Sequence, residues 1–173
     1  MNIILIGFMG SGKSTVAKCL SKLLGFETVE MDDLVYQKTN TSNMQEVFAK
    51  GGELLLRETE IEIAKACASK KNLILSTGGG VVLNKIILDY FKERDGKVIF
   101  LNVSFAQIMK QIEKENSRPL FKDEVSARKL YDLRLPLYVN YADEIIDIEF
   151  QSPEEIAIQI KEKINQKGSS HGL

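Results

Sequence analysis

Short runs of apolar, often β-branched residues alternate along the chain with longer stretches whose apolar positions recur at helical spacing. The runs at 3–6 (Ile-Ile-Leu-Ile), 28–31, 73–76, 98–101 and 145–148 predict strands. The stretches at about 13–24, 43–69, 84–94, 104–115, 125–141 and 153–166 predict helices. Strands that are apolar along nearly their whole length, with helices between them, are buried on both faces. That pattern argues for an α/β fold with a parallel sheet. Two helix starts carry capping chemistry: Ser42 followed by Gln45, and Ser152 followed by Pro153, Glu154 and Glu155. No repeat and no low-complexity linker breaks the series. Residues 1–166 therefore read as one domain, and 167–173 as a disordered tail.

Composition narrows the function classes without choosing among them. A chain of 173 residues can bury a core without staples. Its 23 Lys plus Arg against 24 Asp plus Glu leave a net charge of −1, which gives no electrostatic footprint for nucleic acid or an anionic membrane. No apolar run approaches the roughly 20 residues that span a bilayer. The first residues, Met1-Asn2 and then an apolar run, lack the basic region of a signal peptide. Cys19 and Cys67 are too few for a disulfide framework, and with His171 they make no metal spacing. A reduced, cytoplasmic protein is expected. Scarce residues are unevenly placed. Six of the twelve glycines fall in two clusters, and only five arginines stand against eighteen lysines. Arginine is the planar, bidentate partner for carboxylate and phosphate, so each one is a candidate.

The first glycine cluster, Gly7-Phe8-Met9-Gly10-Ser11-Gly12-Lys13-Ser14, fits the phosphate-loop pattern G-x-x-x-x-G-K-[ST], after a strand and opening a helix. Its amides would cradle phosphate oxygens, Lys13 would reach the β- and γ-phosphates, and the Ser14 hydroxyl would ligate Mg²⁺. A nucleoside triphosphate is the expected ligand. The base-reading segment of a switch GTPase is missing, since Asn84-Lys85 runs into Ile86-Ile87.

Strand two ends in Glu30-Met31-Asp32-Asp33, at the sheet edge where ligands bind. Asp32 there can orient an attacking hydroxyl or accept its proton; alternatively Asp32 or Asp33 caps a helix starting at Leu34. In 51–60 the arc that holds Leu54, Ile61, Ala64 and Ala68, with Leu56, Ile63 and Cys67 beside it, also holds Arg57, Glu53 and Glu60. A guanidinium among apolar residues needs an anion. Either Glu53 and Glu60 make a structural pair with it, or Arg57 grips an anionic substrate with Glu60 holding it in place. Gly78-Gly79-Gly80 after the third strand serves either a sharp turn or the close approach of backbone to a ligand. Arg118 and Arg134 each stand shortly before a proline. They are either surface residues or, for Arg118, part of a lid over the site and, for Arg134, a second guanidinium on the substrate.

Taken together, from Met1 to about Lys163, these motifs resemble the shikimate kinase family, small P-loop enzymes related to the nucleoside monophosphate kinases. Gly7–Ser14 resembles its phosphate loop, Met31-Asp32 the end of its Asp-x-Asp element, and Gly52 to Glu60 its substrate-arginine helix. Gly78–Gly80 resembles its triglycine loop, Arg118-Pro119-Leu120 its lid, Arg134 its second carboxylate arginine, and Gln151-Ser152-Pro153 its adenine-side loop. The resemblance implies a P-loop α/β/α fold with a five-stranded parallel sheet and a mobile lid at about 113–124. It implies transfer of the γ-phosphoryl group of ATP to the 3-hydroxyl of shikimate, in aromatic amino-acid biosynthesis. Lys13, Asp32 and Arg118 would then be catalytic. Asp32, Arg57, Gly78, Gly79, Gly80 and Arg134 would bind shikimate. Gly10, Ser11, Gly12, Lys13, Ser14, Thr15, Arg118 and Gln151 would bind ATP, with Mg²⁺ on Ser14 and the enzyme a monomer. Three positions depart from the family pattern: Glu30 replaces its first aspartate, Leu56 an aromatic and Gln111 a nucleotide-side arginine. Another small-molecule P-loop kinase, such as a gluconate kinase, and a non-catalytic nucleotide-binding regulator are the rival readings.

Overall fold

The computed structural model describes residues 1–114 and 123–168, the side chains of 167 and 168 excepted. Five strands, β1 (Asn2–Ile6), β2 (Glu27–Glu30), β3 (Leu73–Ser76), β4 (Gly96–Asn102) and β5 (Glu144–Asp147), form one sheet in the order β2-β3-β1-β4-β5. Every pairing is parallel, with Ile4 opposite both Leu75 and Val98. Central β1 and β3 are buried along their whole length. This is why they read in the sequence as unbroken apolar runs. Around the sheet lie α1 (Lys13–Leu24), α2 (Met31–Thr39), α3 (Met44–Ala68), α4 (Lys85–Lys92), α5 (Phe105–Lys114), α6 (Glu124–Tyr141) and α7 (Pro153–Gly168), plus one 3₁₀ turn at Val81–Leu83. The expected five-stranded parallel sheet with helical flanks is what the chain forms. Among the described residues no helix is long and apolar enough to cross a membrane.

Several local expectations are corrected. Met31 ends no strand; it is fully buried and opens α2, so Asp32 and Asp33 lie in that helix's first turn instead of capping a helix at Leu34. The cap of α3 sits one residue later than Ser42: the Asn43 side chain accepts from the Glu46 amide at 2.9 Å, and Glu46 accepts from the Ser42 amide at 2.7 Å. The Ser152–Glu155 pair does form a reciprocal box. α3 is broken at Gly52, whose φ of 65° and ψ of −159° are not helical. The second half of α3 buries Leu56, Glu60, Ile63 and Cys67, whereas Leu54 points out and is 71% exposed. α7 runs to Gly168, past the expected boundary at 166, and 169–173 lie outside the described residues.

The C-terminal ends of β1, β2 and β3 lie side by side, and each leads into a motif singled out above. Residues 7–14 follow β1, Glu30 to Asp33 follow or end β2, and 77–80 follow β3. Thr77 ties the third to the first, its hydroxyl donating to the Leu5 carbonyl at 2.8 Å.

Candidate active site

Between β1 and α1 the chain turns through positive φ at Gly10 (75°) and Gly12 (81°), which side chains resist. The turn borders a cavity of about 240 Å³ lined by Lys13, Ser14, Thr15, Glu30, Asp32 and the start of the glycine loop. Lys13 is buried and donates to the carbonyls of Gly7 (2.9 Å) and Phe8 (3.0 Å). Burial lowers its pKa to about 8, although Asp32 and Glu30 pull the other way. Ser11 is buried in the turn. On the far side of Gly10, Gly12 and Thr15 a groove of about 210 Å³ continues toward Val103, Gln107, Gln111, Gln151 and Pro153. Gln151 is held there by its own bond to the Asp147 carbonyl at 2.6 Å. The groove thus adjoins the turn and extends it toward the start of α7.

Ser14 donates to Glu30 Oε2 at 2.8 Å and lies 3.3 Å from the Ser76 hydroxyl; Glu30 and Ser76 are register partners on β2 and β3. Asp32 projects from the first turn of α2 into the same space. Its Oδ1 is buried with no hydrogen-bond partner, and burial raises its pKa although Lys13 pulls it down. Among the described residues no group of three or more His, Cys, Asp or Glu could hold a metal alone. One hydroxyl backed by carboxylates, open toward a phosphate site, fits Mg²⁺, which takes few protein ligands and completes its shell with phosphate and water.

A second cavity, of about 480 Å³, adjoins the first; Met9, Asp32, Gly78 and Gly79 line both. Its polar wall is Arg57, Glu53, Glu60 and Arg134, and its apolar wall Met44, Phe48, Leu56 and Leu130. Arg57 donates from Nη1 to Glu60 Oε2 at 2.6 Å, and from Nε and Nη2 to Glu53 Oε1 at 3.3 and 3.0 Å. A guanidinium has about five N–H groups, so these three bonds leave two for a ligand. Burial opposes the charge on Arg57, but Glu60 and Glu53 hold its pKa above the ordinary value. Glu60 itself is 2% exposed, and burial raises its pKa against the pull of Arg57. The ion pair and the cavity wall are thus one arrangement, not alternatives.

The triglycine loop lies where these groups converge. A Cβ on Gly78 would meet Asp32 Oδ1, one on Gly79 would meet the Met9 amide and Arg134 Nη1, and one on Gly80 would collide with the Arg57 guanidinium. None of the three has positive φ, so crowding by the site, and not a strained turn, requires glycine here. Among the described residues their amides donate to no backbone acceptor.

The structure therefore brings together Gly10, Ser11, Gly12, Lys13, Ser14, Thr15, Asp32, Arg57, Gly78, Gly79, Gly80 and Arg134, with Gln151 at the outer groove. Arg118 and most of the expected lid lie outside the described residues. Met44 and Phe48 went unnoticed in the sequence because only the break at Gly52 turns the first half of α3 toward the cavity. Val103 and Gln107 went unnoticed because no local motif marks them; they reach the groove only through the ends of β4 and α5.

A protein-family profile described as Shikimate kinase matches residues 9–165. A shikimate kinase of Thermodesulfovibrio yellowstonii is 38% identical over 162 residues, covering 92% of each chain. One of Lactococcus lactis subsp. cremoris is 39% identical over 165 residues, 94% of this chain and 98% of that one. The solved structure of a shikimate kinase from Acinetobacter baumannii in complex with shikimate superposes with a TM-score of 0.87 at 31% identity, covering 96% of this chain and 93% of that one. A phosphate-loop turn, an adjoining cavity walled by two arginines and a likeness to these proteins over nearly the full chain agree: the chain belongs to the shikimate kinase family.

Proposed function

We propose that the chain is an ATP-dependent kinase that transfers the γ-phosphoryl group to the 3-hydroxyl of shikimate, releasing ADP and shikimate 3-phosphate. The observation that carries this is the shared wall of the two cavities, where the unpartnered Oδ1 of Asp32 stands between a phosphate site and a carboxylate site. Family membership favours this reading over a gluconate kinase or a non-catalytic regulator.

In this reading the amides of Gly10 to Ser14 and the Lys13 ammonium hold the β- and γ-phosphates, while Thr15 and Gln151 border the rest of the nucleotide. Mg²⁺ on Ser14 neutralises phosphate charge when bound. Arg57 and Arg134 grip the carboxylate of shikimate, and the amides of Gly78 to Gly80 fix the ring. The hydroxyl then lies against Asp32, whose raised pKa suits it to orient that hydroxyl and to take its proton late in the transfer. The transfer is direct and in line, with no covalent enzyme intermediate. Arg118 supplies a further cation to the developing charge. The enzyme works as a cytoplasmic monomer. The test is ADP release with MgATP, with and without shikimate and with gluconate. Shikimate-dependent release is expected; release that ignores shikimate, or responds to gluconate, overturns the reading.

A further inference from the structure

Tyr138 lies one helical turn after Arg134 on α6 and is 1% exposed. Its ring stacks on Phe100 of β4, with centroids 5.1 Å apart and planes at 19°. At the far end of the ring the hydroxyl reaches the triglycine loop, where it donates to the Gly79 carbonyl. The Arg134 guanidinium lies nearby, with Nη1 3.5 Å from the position a Gly79 Cβ would take. Burial, partly opposed by that guanidinium, pushes its pKa well above the ordinary tyrosine value, so it stays a neutral donor.

The loop's other carbonyls are used locally: Gly78 accepts from the Val81 amide at 3.2 Å, and Gly80 from the Leu83 amide at 3.0 Å. Among the described residues only the Gly79 carbonyl, of the three, is held by a side chain distant in sequence. A peptide is planar and trans, so its carbonyl and the following amide point in opposite directions. Fixing the Gly79 carbonyl toward Tyr138 therefore fixes the direction of the N–H of Gly80, which lines the substrate cavity. Between two glycines no side chain would otherwise resist rotation of this peptide.

We propose that Tyr138 is a positioning residue: its one hydroxyl holds the Gly79–Gly80 peptide beside Arg134, so that both present donors to the substrate. This rests on the function proposed above. Tyr138→Phe keeps the stacked ring and removes the hydroxyl. Its KM for shikimate should rise about 10-fold, the effect of one hydrogen bond, with kcat and the KM for ATP within about twofold of wild type. Phe100→Leu removes the stacking ring and keeps the hydroxyl; it should melt at lower temperature yet hold its shikimate KM within about twofold. A shikimate KM unchanged in Tyr138→Phe overturns the proposal. So does an equal rise in the KM for ATP, or a rise in Phe100→Leu matching that of Tyr138→Phe, since these mark a merely structural role. Calorimetric titration separates the two levels of the argument. A wild type that binds no shikimate overturns the function and this proposal together, whereas tight binding by both wild type and Tyr138→Phe overturns this proposal alone.

Discussion

Gly80→Ala separates the fold of the site from its grip on substrate. At φ −90° and ψ 0° the Gly80 backbone accepts alanine without strain. A compatible Gly→Ala change stabilises by about 0.4–1 kcal/mol through the unfolded chain. The new methyl, however, collides with Arg57 Nη2 and sits 3.1 Å from Nη1 and 3.2 Å from Cζ. These atoms end a flexible side chain, so the guanidinium withdraws and the backbone stays. A withdrawal on the order of 1 Å in a positioning group costs about 100-fold. The shikimate kcat/KM should therefore fall about 100-fold, mostly as a rise in KM, because a carboxylate grip acts in ground and transition state alike. The KM for ATP should stay within about twofold, since Lys13 and its loop are untouched. Loosening Arg57 from Glu60 offsets the alanine gain, so the melting temperature should move by no more than about 4 °C. Initial rates of ADP release against shikimate at saturating ATP, with thermal melts of the same preparations, read all three quantities. A shikimate KM within about threefold of wild type, in a variant that melts normally, would refute the idea that Arg57 against Gly80 forms the carboxylate site.

Two further outcomes follow from ionisation. Asp32→Asn should lower kcat about 10²- to 10⁴-fold. It removes a carboxylate whose pKa burial raises, so wild-type stability declines as pH rises from 3.8 through the higher folded value, and the penalty is full above that window. The variant should melt roughly 2–4 °C above wild type near neutral pH and lose that margin at acid pH; a margin that ignores pH, or an unchanged kcat, counts against the assignment. For Lys13, burial places the pKa at about 8, and only the cation attracts phosphate. The kcat/KM for ATP should decline above about pH 8, while kcat at saturating ATP holds to higher pH because bound phosphates favour the cation; a flat kcat/KM profile contradicts this.

What the sequence revealed was what is local. The phosphate turn lies within eight consecutive residues, Gly7 to Ser14, and its chemistry depends only on that turn between a strand and a helix. β1 and β3 were legible because burial on both faces leaves one polar residue in each, Asn2 and Ser76, at a strand end. Met31 misled because a buried apolar residue after Val29 extends a strand pattern equally well as it opens a helix; the pairing of β2 with β3 stops at Glu30. Leu54 misled because the helical projection through 51–68 fixes which residues share a face but not which face is inward, and the break at Gly52 sets that. Arg57 and Arg134 are visible as scarce residues, but that they bound one cavity depends on α3 and α6 both reaching the glycine loop. The same holds for Tyr138, whose role exists only through Gly79, 59 positions earlier.

The site leaves its polar groups half-satisfied, and the halves differ in kind. Bonds within the protein fix geometry: Lys13 to the Gly7 and Phe8 carbonyls, Ser14 to Glu30, Arg57 to Glu53 and Glu60. Among the described residues the valences left over include Asp32 Oδ1, Arg134 Nε, two N–H groups of Arg57 and the amides of the glycine loop, on residues that line two adjoining cavities. A fully paired set would be more stable and inert, because two anions would have to break it. A fully unpaired set would swing freely and fix no geometry. Partial pairing keeps Lys13, Ser14 and Arg57 oriented before the substrates arrive, which is the condition under which charge stabilisation needs no reorganisation during transfer. The near-zero net charge fits the same logic: the cations that matter are held by local carboxylates, so two small anions can bind side by side without the chain attracting polyanions.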